Sequence, residues 1–250
     1  MNTELKLIGK PYVYRYRGDN EYTLDEIKNN YIYFANREEL NDPFDSSPYY
    51  LDLTQSIKEL HLLRKEVLNY TTDPLTRAYI KGKQGLEEVQ KIATEKIEEF
   101  VLSFGIACFS MHQINYNLWA NYANNYKGVC LQYNTDNDLD FFYNLLPVLY
   151  VPEIKKTEFK PITQPNEIVK LFYYKLDSWN VEKELRLIKN NCGKIQHDKR
   201  ALRNVIIGYK AEENFVKNIL FIIKNHYTDV GVYRMEKPRE TNKASYTQLK

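Results

Sequence analysis

The alternation of apolar and charged residues from Trp179 to Leu187 constrains the fold more than any other feature of the chain. In an extended strand, side chains point alternately to opposite faces, so Glu182, Glu184 and Arg186 would share one face. Val181, Leu185 and Leu187 would share the other face. Two glutamates about 6–7 Å apart on a rigid strand suit reactions that build positive charge on a sugar. A solvated stripe of surface ion pairs is the alternative interpretation.

Length and composition narrow the class of protein. A chain of 250 residues can bury one sizeable core, which predicts a single domain over residues 1–250. The 35 Lys and Arg residues nearly balance the 33 Asp and Glu residues, so no global charge argues for nucleic acid or an anionic membrane. The three cysteines are widely spaced and lack a C-x-x-C pair, which fits a reducing compartment. With no apolar signal core near Met1 and no long apolar run, we expect a cytoplasmic protein without a membrane partner.

The first 50 residues predict a β-α-β unit. Residues Val13–Arg17 form the first predicted strand, in which Val13, Arg15 and Arg17 alternate with tyrosines. The segment Thr23–Glu26 has the pattern of a capping box and predicts the start of a helix. Tyr31–Ala35 is the second predicted strand, and Asn41–Asp45 is predicted to be a structured loop because proline restricts the residue before it.

Residues from about 53 to 102 have a charged, helical pattern and predict a helical insertion. A strand is predicted at Phe104–Ser110, and helical spacing is found at Asn117–Tyr126. Further strands are predicted at Gly128–Tyr133, Val148–Val151, Glu184–Lys189, Val205–Gly208 and Val230–Arg234, with a helix at Glu213–Lys224. The irregular mixture of strands and helices indicates an α+β fold. The tail, about 237–250, is predicted to be mobile.

The sequence lacks the motifs of several common classes of enzyme and binding site. The chain contains no G-x-G or G-K-[ST] phosphate loop and no G-x-S-x-G elbow around Ser110. Its four histidines show neither H-E-x-x-H nor H-x-E spacing, so no zinc site is expected.

The remaining candidates form a constellation of polar residues at predicted strand ends and in a loop. It comprises Arg15, Arg17, Asn41, Asp42, Asp45, Ser110, Glu182 and Glu184. A guanidinium on a phosphate or ribose, a strand-end hydroxyl and a carboxylate on the nicotinamide ribose could together bind a dinucleotide.

Several segments carry a resemblance to a known family. They are Y-R-Y-R at Tyr14–Arg17, T-L at Thr23–Leu24, Y-F at Tyr33–Phe34, N-D-P-F-D at Asn41–Asp45, C-F-S at Cys108–Ser110, Trp119 with Tyr122–Ala123, G-V-C at Gly128–Cys130, and W-x-x-E-x-E-x-R at Trp179–Arg186. Over about Tyr12–Gly208 the chain resembles a widespread bacterial domain-of-unknown-function family, number 2971. That family in turn looks like a remote branch of the ADP-ribosyltransferase superfamily, whose toxin-like members carry an Arg, Ser, Glu order. Ser110 departs from the S-T-S motif of that superfamily.

The resemblance implies a split, mixed or antiparallel β-sheet that binds NAD as a substrate, without a metal. Glu184 would be the main catalytic carboxylate, and Glu182 would orient or deprotonate the acceptor. Arg17, Arg15, Ser110, Asn41 and Asp42 would contact NAD, and Tyr33, Phe34 or Trp119 would stack on nicotinamide or adenine. The implied partners are NAD and a macromolecular acceptor, either protein or nucleic acid, and the implied role is that of a toxin or a phage-defence effector.

Two other functions stay open from the residues alone. Asp42, Asp45, Glu182 and Glu184 could gather Mg²⁺ in a nuclease or hydrolase. Alternatively, the chain is a non-catalytic binding module in which Glu182, Glu184 and Arg186 form a structural ion-pair network.

Overall fold

The structure is a computed structural model that describes residues 11–53, 56–237 and 244–250. The chain divides into two compact units, each described here by itself. The first unit combines residues up to Phe34 with Ile106–Val148 and Ser178–Lys250, and the second combines Ala35–Gly105 with Leu149–Asp177. Each unit is therefore assembled from segments that are distant in sequence.

An eight-stranded mixed sheet forms the framework of the first unit. Its strands are β1 (Tyr12–Arg17), β4 (Gly105–Ser110), β5 (Val129–Asn134), β6 (Leu146–Pro147), β10 (Glu184–Lys189), β12 (Leu202–Ile207), β13 (Gly231–Met235) and β14 (Tyr246–Gln248). Their spatial order is β14-β13-β12-β5-β1-β4-β10-β6. β12 and β13 are parallel, whereas β1 runs antiparallel to both β4 and β5. A separate antiparallel ribbon pairs β2 (Tyr31–Phe34) with β11 (Gly193–Gln196).

Helices α1 (Glu21–Asn29) and α6 (Glu213–His226) cover one face of this sheet. Ile27 of α1 and Ile219 of α6 are buried in the main core together with Val13 of β1. The Tyr227 hydroxyl also donates a hydrogen bond to the Ile27 carbonyl over 2.6 Å. A second core on the opposite face contains α5 (Tyr116–Asn121), whose Trp119 meets Tyr16 edge to face. Both faces of the sheet are thus packed.

The second unit is mainly helical, with α2 (Ile57–Tyr70), α3 (Pro74–Lys81) and α4 (Gly85–Ser103). It also holds two short parallel pairs, β3 (Leu51–Asp52) with β8 (Thr157–Glu158) and β7 (Leu149–Val151) with β9 (Tyr174–Leu176). Six 3₁₀ helices complete the described part of the chain, at Arg37–Glu39, Pro48–Tyr50, Thr135–Asn137, Pro165–Tyr173, Asp177–Glu182 and Lys199–Ala201. Among the described residues, no helix combines the length and apolar composition that crossing a membrane requires.

The predicted α+β class is confirmed, because helices are combined with a large mixed sheet. Several predicted elements lie within a few residues of the observed ones, and the strand Glu184–Lys189 matches β10 at both ends. The single domain and its helical insertion stay predictions, although α2, α3 and α4 all fall in or at the edge of that segment. Residues 238–243 of the tail predicted to be mobile lie outside the described residues, and strand β14 follows them.

The predicted capping box at Thr23–Glu26 is wrong. Asn20 is the N-cap of α1, and its side chain accepts a hydrogen bond from the Thr23 backbone N–H. Thr23 lies within the helix, and its hydroxyl donates to the Gly18 carbonyl over 2.6 Å. Asn is as good an N-cap as Thr, and a cap three residues earlier lets the helix include Glu21.

Helical structure predicted through Tyr126 ends earlier, because α5 stops at Asn121. Asn124, Asn125 and Tyr126 all have positive φ angles, of 44°, 51° and 69°. Asn tolerates the left-handed region better than most residues, so the Asn-Asn pair permits a tight turn that the apolar spacing had hidden.

Candidate functional site

Glu184 and Arg186 form a buried ion pair on strand β10. Arg186 Nε donates to Glu184 Oε1 over 2.6 Å, and Nη2 donates to Oε2 over 3.2 Å. The Glu184 residue is 4% exposed and Arg186 is 0% exposed. Residues i and i+2 of a strand lie on the same face, so the two side chains are close enough to form a bidentate pair. It holds the Glu184 carboxylate in one orientation.

Glu182 lies outside the strand. It is the last residue of the 3₁₀ helix Asp177–Glu182, and Lys183, with φ of 47°, reverses the backbone before β10 begins. The prediction that Glu182 shares one face of a strand with Glu184 and Arg186 is therefore wrong, whereas the strand predicted at Glu184–Lys189 is observed. Glu182 is nevertheless buried, and the Tyr122 hydroxyl donates to its Oε1 over 2.7 Å. A second carboxylate is thus fixed beside the start of β10.

Ser110 ties the end of β4 to this segment. Its Oγ donates to the Glu182 carbonyl over 3.1 Å and accepts a hydrogen bond from the His112 backbone N–H over 3.2 Å. The Met111 backbone N–H also donates to the Lys183 carbonyl over 3.2 Å. Ser110 is 1% exposed, so its hydroxyl links the end of β4 to the Glu182 segment through a buried hydrogen bond.

Strand alternation places these groups on one face of the sheet, which we call the carboxylate face. Leu185 and Leu187 of β10 and Phe109 of β4 belong to the main core. The alternating neighbours Glu184, Arg186 and Ser110 therefore point to the opposite face. Tyr14 of β1 lies directly across from Ser110 in the antiparallel register and shares that face.

Arg15 and Arg17 lie on the other face, beneath α1, with the Glu26 carboxylate between them. Arg15 Nε donates to Glu26 Oε1 over 3.0 Å, and Arg17 Nε is 3.0 Å from Oε2 without the alignment of a hydrogen bond. Arg15 also donates to the carbonyls of Cys108 and Tyr33, over 3.2 Å and 2.9 Å. The Glu26 side chain is 0% exposed, whereas that of Arg17 is 27% exposed. Burial lowers the pKa of Arg17, and the nearby Glu26 opposes that shift.

The structure therefore places the residues of the predicted Arg, Ser, Glu site on two opposite faces of the sheet. Ser110 and Glu184 occupy the carboxylate face, with Glu182 joined to Ser110 through its carbonyl. Arg15 and Arg17 occupy the main-core face of the same sheet. On the carboxylate face, the guanidinium that pairs with Glu184 belongs to Arg186.

Trp119 and Tyr33, two aromatic candidates for stacking on NAD, each contact other residues of the fold. Trp119 is 0% exposed and stacks on Tyr126, with ring centroids 6.0 Å apart and an interplanar angle of 4°. Its Nε1 is buried and has no hydrogen-bond partner within the described residues. Tyr33 lies on β2, half-buried, opposite Lys194 of β11.

Asn41 and Asp42 lie in the second unit. Asp42 is 3% exposed, its Oδ1 accepts from the Phe44 backbone N–H over 3.0 Å, and its carbonyl accepts from the Asp45 backbone N–H over 3.1 Å. These bonds confirm the predicted structured loop. Asp45 lies 3.9 Å from Lys175 Nζ in a buried ion pair. Within the described ranges, no group of three or more His, Cys, Asp or Glu side chains could hold a metal ion, so the magnesium hypothesis gains no support here.

Sequence reasoning missed Glu26 and Tyr122 as partners of the candidate residues. The available signal for Glu26 was a carboxylate one turn after Thr23 and directly before the apolar Ile27, among the buried residues of α1. Tyr122 gave no such signal, because its hydroxyl reaches Glu182 across 60 positions of the chain.

One family comparison bears on this chain. The model of a family described as "Protein of unknown function (DUF2971)" matches residues 118–187, a segment that includes Trp119, Tyr122, Glu182, Glu184 and Arg186. The resemblance to that family is thereby confirmed over this segment. No curated protein and no solved structure matches the chain.

Proposed function

We propose that this chain, which resembles domain-of-unknown-function family 2971 over residues 118–187, transfers ADP-ribose from NAD to a macromolecular acceptor. The observation that supports this function is the pair of buried carboxylates, Glu182 and Glu184, each fixed by its own partner. Fixed carboxylates stabilise developing positive charge without the cost of reorienting during the reaction. A role as a toxin or in phage defence rests on the remote likeness to ADP-ribosyltransferases alone.

In the proposed reaction, the bond between ribose C1′ and the nicotinamide nitrogen breaks, and its electron pair leaves with nicotinamide. Positive charge then builds on the ribose ring, as in glycoside cleavage. Glu184 stabilises this charge and accepts a hydrogen bond from a ribose hydroxyl. A nucleophilic oxygen or nitrogen of the acceptor bonds to C1′, and Glu182 takes its proton.

The arginines take different roles in this proposal. Arg186 is a positioning residue, since it orients Glu184 through two hydrogen bonds. Arg15 and Arg17 support the fold by pairing with Glu26 on the main-core face. Their predicted contacts with NAD stay predictions.

Replacing Glu184 by glutamine is expected to lower nicotinamide release from NAD by at least about 100-fold, because the substitution removes charge but keeps size. The amide oxygen of the glutamine can still accept a hydrogen bond from Arg186. Release is measured with the purified chain, alone and with a cell extract that supplies acceptors. Rates are compared at a temperature at which circular dichroism shows both proteins to be folded.

The matched control is Glu212→Gln. Glu212 is exposed, and as the N-cap of α6 its side chain makes no capping hydrogen bond. This variant should release nicotinamide within about twofold of the unaltered chain, since a distant surface charge contributes little to a reaction barrier. A folded Glu184→Gln variant with full activity would contradict the assignment.

A second candidate function is that of a non-catalytic binding module, and the two-pronged Arg186–Glu184 pair favours it. Such a pair is what a structural network of buried charges requires. This function predicts no nicotinamide release by the unaltered chain, with or without extract. It also predicts that Glu184→Gln changes only stability.

A further inference from the structure

A small cavity lined partly by charged residues lies in the first unit where β12 begins. Its volume is about 50 Å³. Its lining comes from Lys199, Arg200, Leu202, Arg203 and the segment Tyr227–Val230 that follows α6. At roughly 10–15 Å³ per water, the cavity holds about four waters, which is the size of one small polyatomic ion rather than of a nucleoside.

Arg203 lies at a β-bulge in the sheet. The register of β12 against β5 shifts between Leu202 and Asn204, which pair with Tyr133 and Gln132. Arg203 is the extra residue of this bulge. Bulges redirect side chains and recur beside functional sites.

Arg203 is a half-buried residue, and its side chain makes no hydrogen bond or ion pair to any other described residue. An arginine that is partly removed from water usually pairs its five donors with an acceptor. Arg203 lines the cavity instead.

The charge around the cavity favours an anion. Lys199 and Arg203 contribute two cations to the lining beside the single carboxylate of Asp229, while the third cation, Arg200, is neutralised by Asp198. Arg200 is held by Asp198, whose carboxylate accepts from its Nε over 2.9 Å. Asp229 accepts a hydrogen bond from the Thr228 hydroxyl over 2.9 Å.

We propose that this cavity binds a phosphoryl group, with Arg203 as its main ligand. A guanidinium fork matches the geometry of phosphate oxygens and can bind two of them at once. Two cations, Lys199 and Arg203, suit a dianion better than a singly charged carboxylate ligand. The phosphoryl group can come from free phosphate or from a phosphate monoester whose remaining part stays outside the cavity.

The test is calorimetric titration of the full chain with inorganic phosphate, adenosine monophosphate and acetate at constant ionic strength. Saturable binding of phosphate or of the monoester is expected, and tighter binding of the monoester would identify it as the source. Arg203→Gln should weaken that binding at least about tenfold, since a hydrogen bond to a charged group is worth this much or more. Arg203→Lys should bind with intermediate affinity, because it keeps the charge but loses the fork.

Lys217→Gln is the matched control. Lys217 is exposed on α6, is not part of the cavity lining, and carries the same charge. Binding by this variant should change by less than about twofold, since an exposed distant charge is screened. Absence of saturable phosphate and monoester binding would overturn the proposal. Equal loss in Arg203→Gln and Lys217→Gln, or acetate binding as tight as phosphate binding, would also overturn it.

Discussion

Replacing Glu26 by glutamine is expected to lower the free energy of unfolding by about 3–5 kcal/mol, because breaking a buried ion pair leaves charge without compensation. Glu26 lies between two guanidinium groups, each with Nε 3.0 Å from one of its oxygens. Its side chain is 0% exposed, and those of Arg15 and Arg17 are 7% and 27% exposed. Without the carboxylate, two cations on adjacent same-face positions of β1 repel each other in a poorly hydrated space.

Equilibrium urea unfolding at pH 7 measures this change. Glu21→Gln on the same helix is the control, since Glu21 is exposed in the first turn of α1. Losing its favourable interaction with the helix dipole should cost about 1 kcal/mol or less. If Glu26→Gln were as stable as Glu21→Gln, the Glu26 carboxylate would not be needed to compensate the charges of the two arginines.

Replacing Gly128 by alanine is expected to destabilise the protein by about 3 kcal/mol, because overpacking against backbone cannot be relieved by a side-chain rotation. An added Cβ at Gly128 would lie 2.0 Å from the Arg17 carbonyl oxygen and 2.9 Å from Gly18 Cα. Gly128 is also fixed from both sides, as its N–H donates to Ala123 and its carbonyl accepts from Gly208, each over 2.9 Å. The strain would therefore separate β1 from the turn before β5.

Thermal and urea unfolding of Gly18→Ala supply the comparison. A Cβ at Gly18 would meet its nearest neighbour, the Asn20 side chain, at 3.4 Å, which is ordinary contact. That variant should stay within about 1 kcal/mol of the unaltered chain, as is usual for substitutions without a clash. Equal stability of the two glycine variants would show that the close approach of Gly128 to β1 is wrong.

Much of the sheet could be predicted from local sequence patterns. β1, β4, β5 and β10 were found because apolar residues alternate with other residues, or cluster, over lengths typical of strands. The turn at Asn124–Tyr126 was hidden because Tyr126 continues a helical spacing with Trp119 and Tyr122. Local periodicity does not report backbone reversals that Asn makes possible.

The candidate site was harder to predict from the sequence. Which residues of different strands lie on the same face of a sheet depends on how the strands pair, and local sequence patterns do not report that pairing. The sequence correctly placed Arg15 and Arg17 beside Val13 on one face of β1. Relating that face to Glu184 requires the register of β1 with β4 and the place of β10 beside β4. Likewise, the positive φ at Lys183 removes Glu182 from the strand, and no residue type in that segment signals the reversal.

The most direct experiment compares nicotinamide release by Arg17→Lys with that by Glu184→Gln. Lysine at position 17 keeps a cation near Glu26, so the fold should persist. If the chemistry belongs to the carboxylate face, Arg17→Lys should release nicotinamide within about threefold of the unaltered chain, since it removes no interaction with the reacting atoms. Glu184→Gln should lose at least about 100-fold. Loss of activity in a folded Arg17→Lys variant, together with retained activity in Glu184→Gln, would contradict the assignment of the reaction to the carboxylate face.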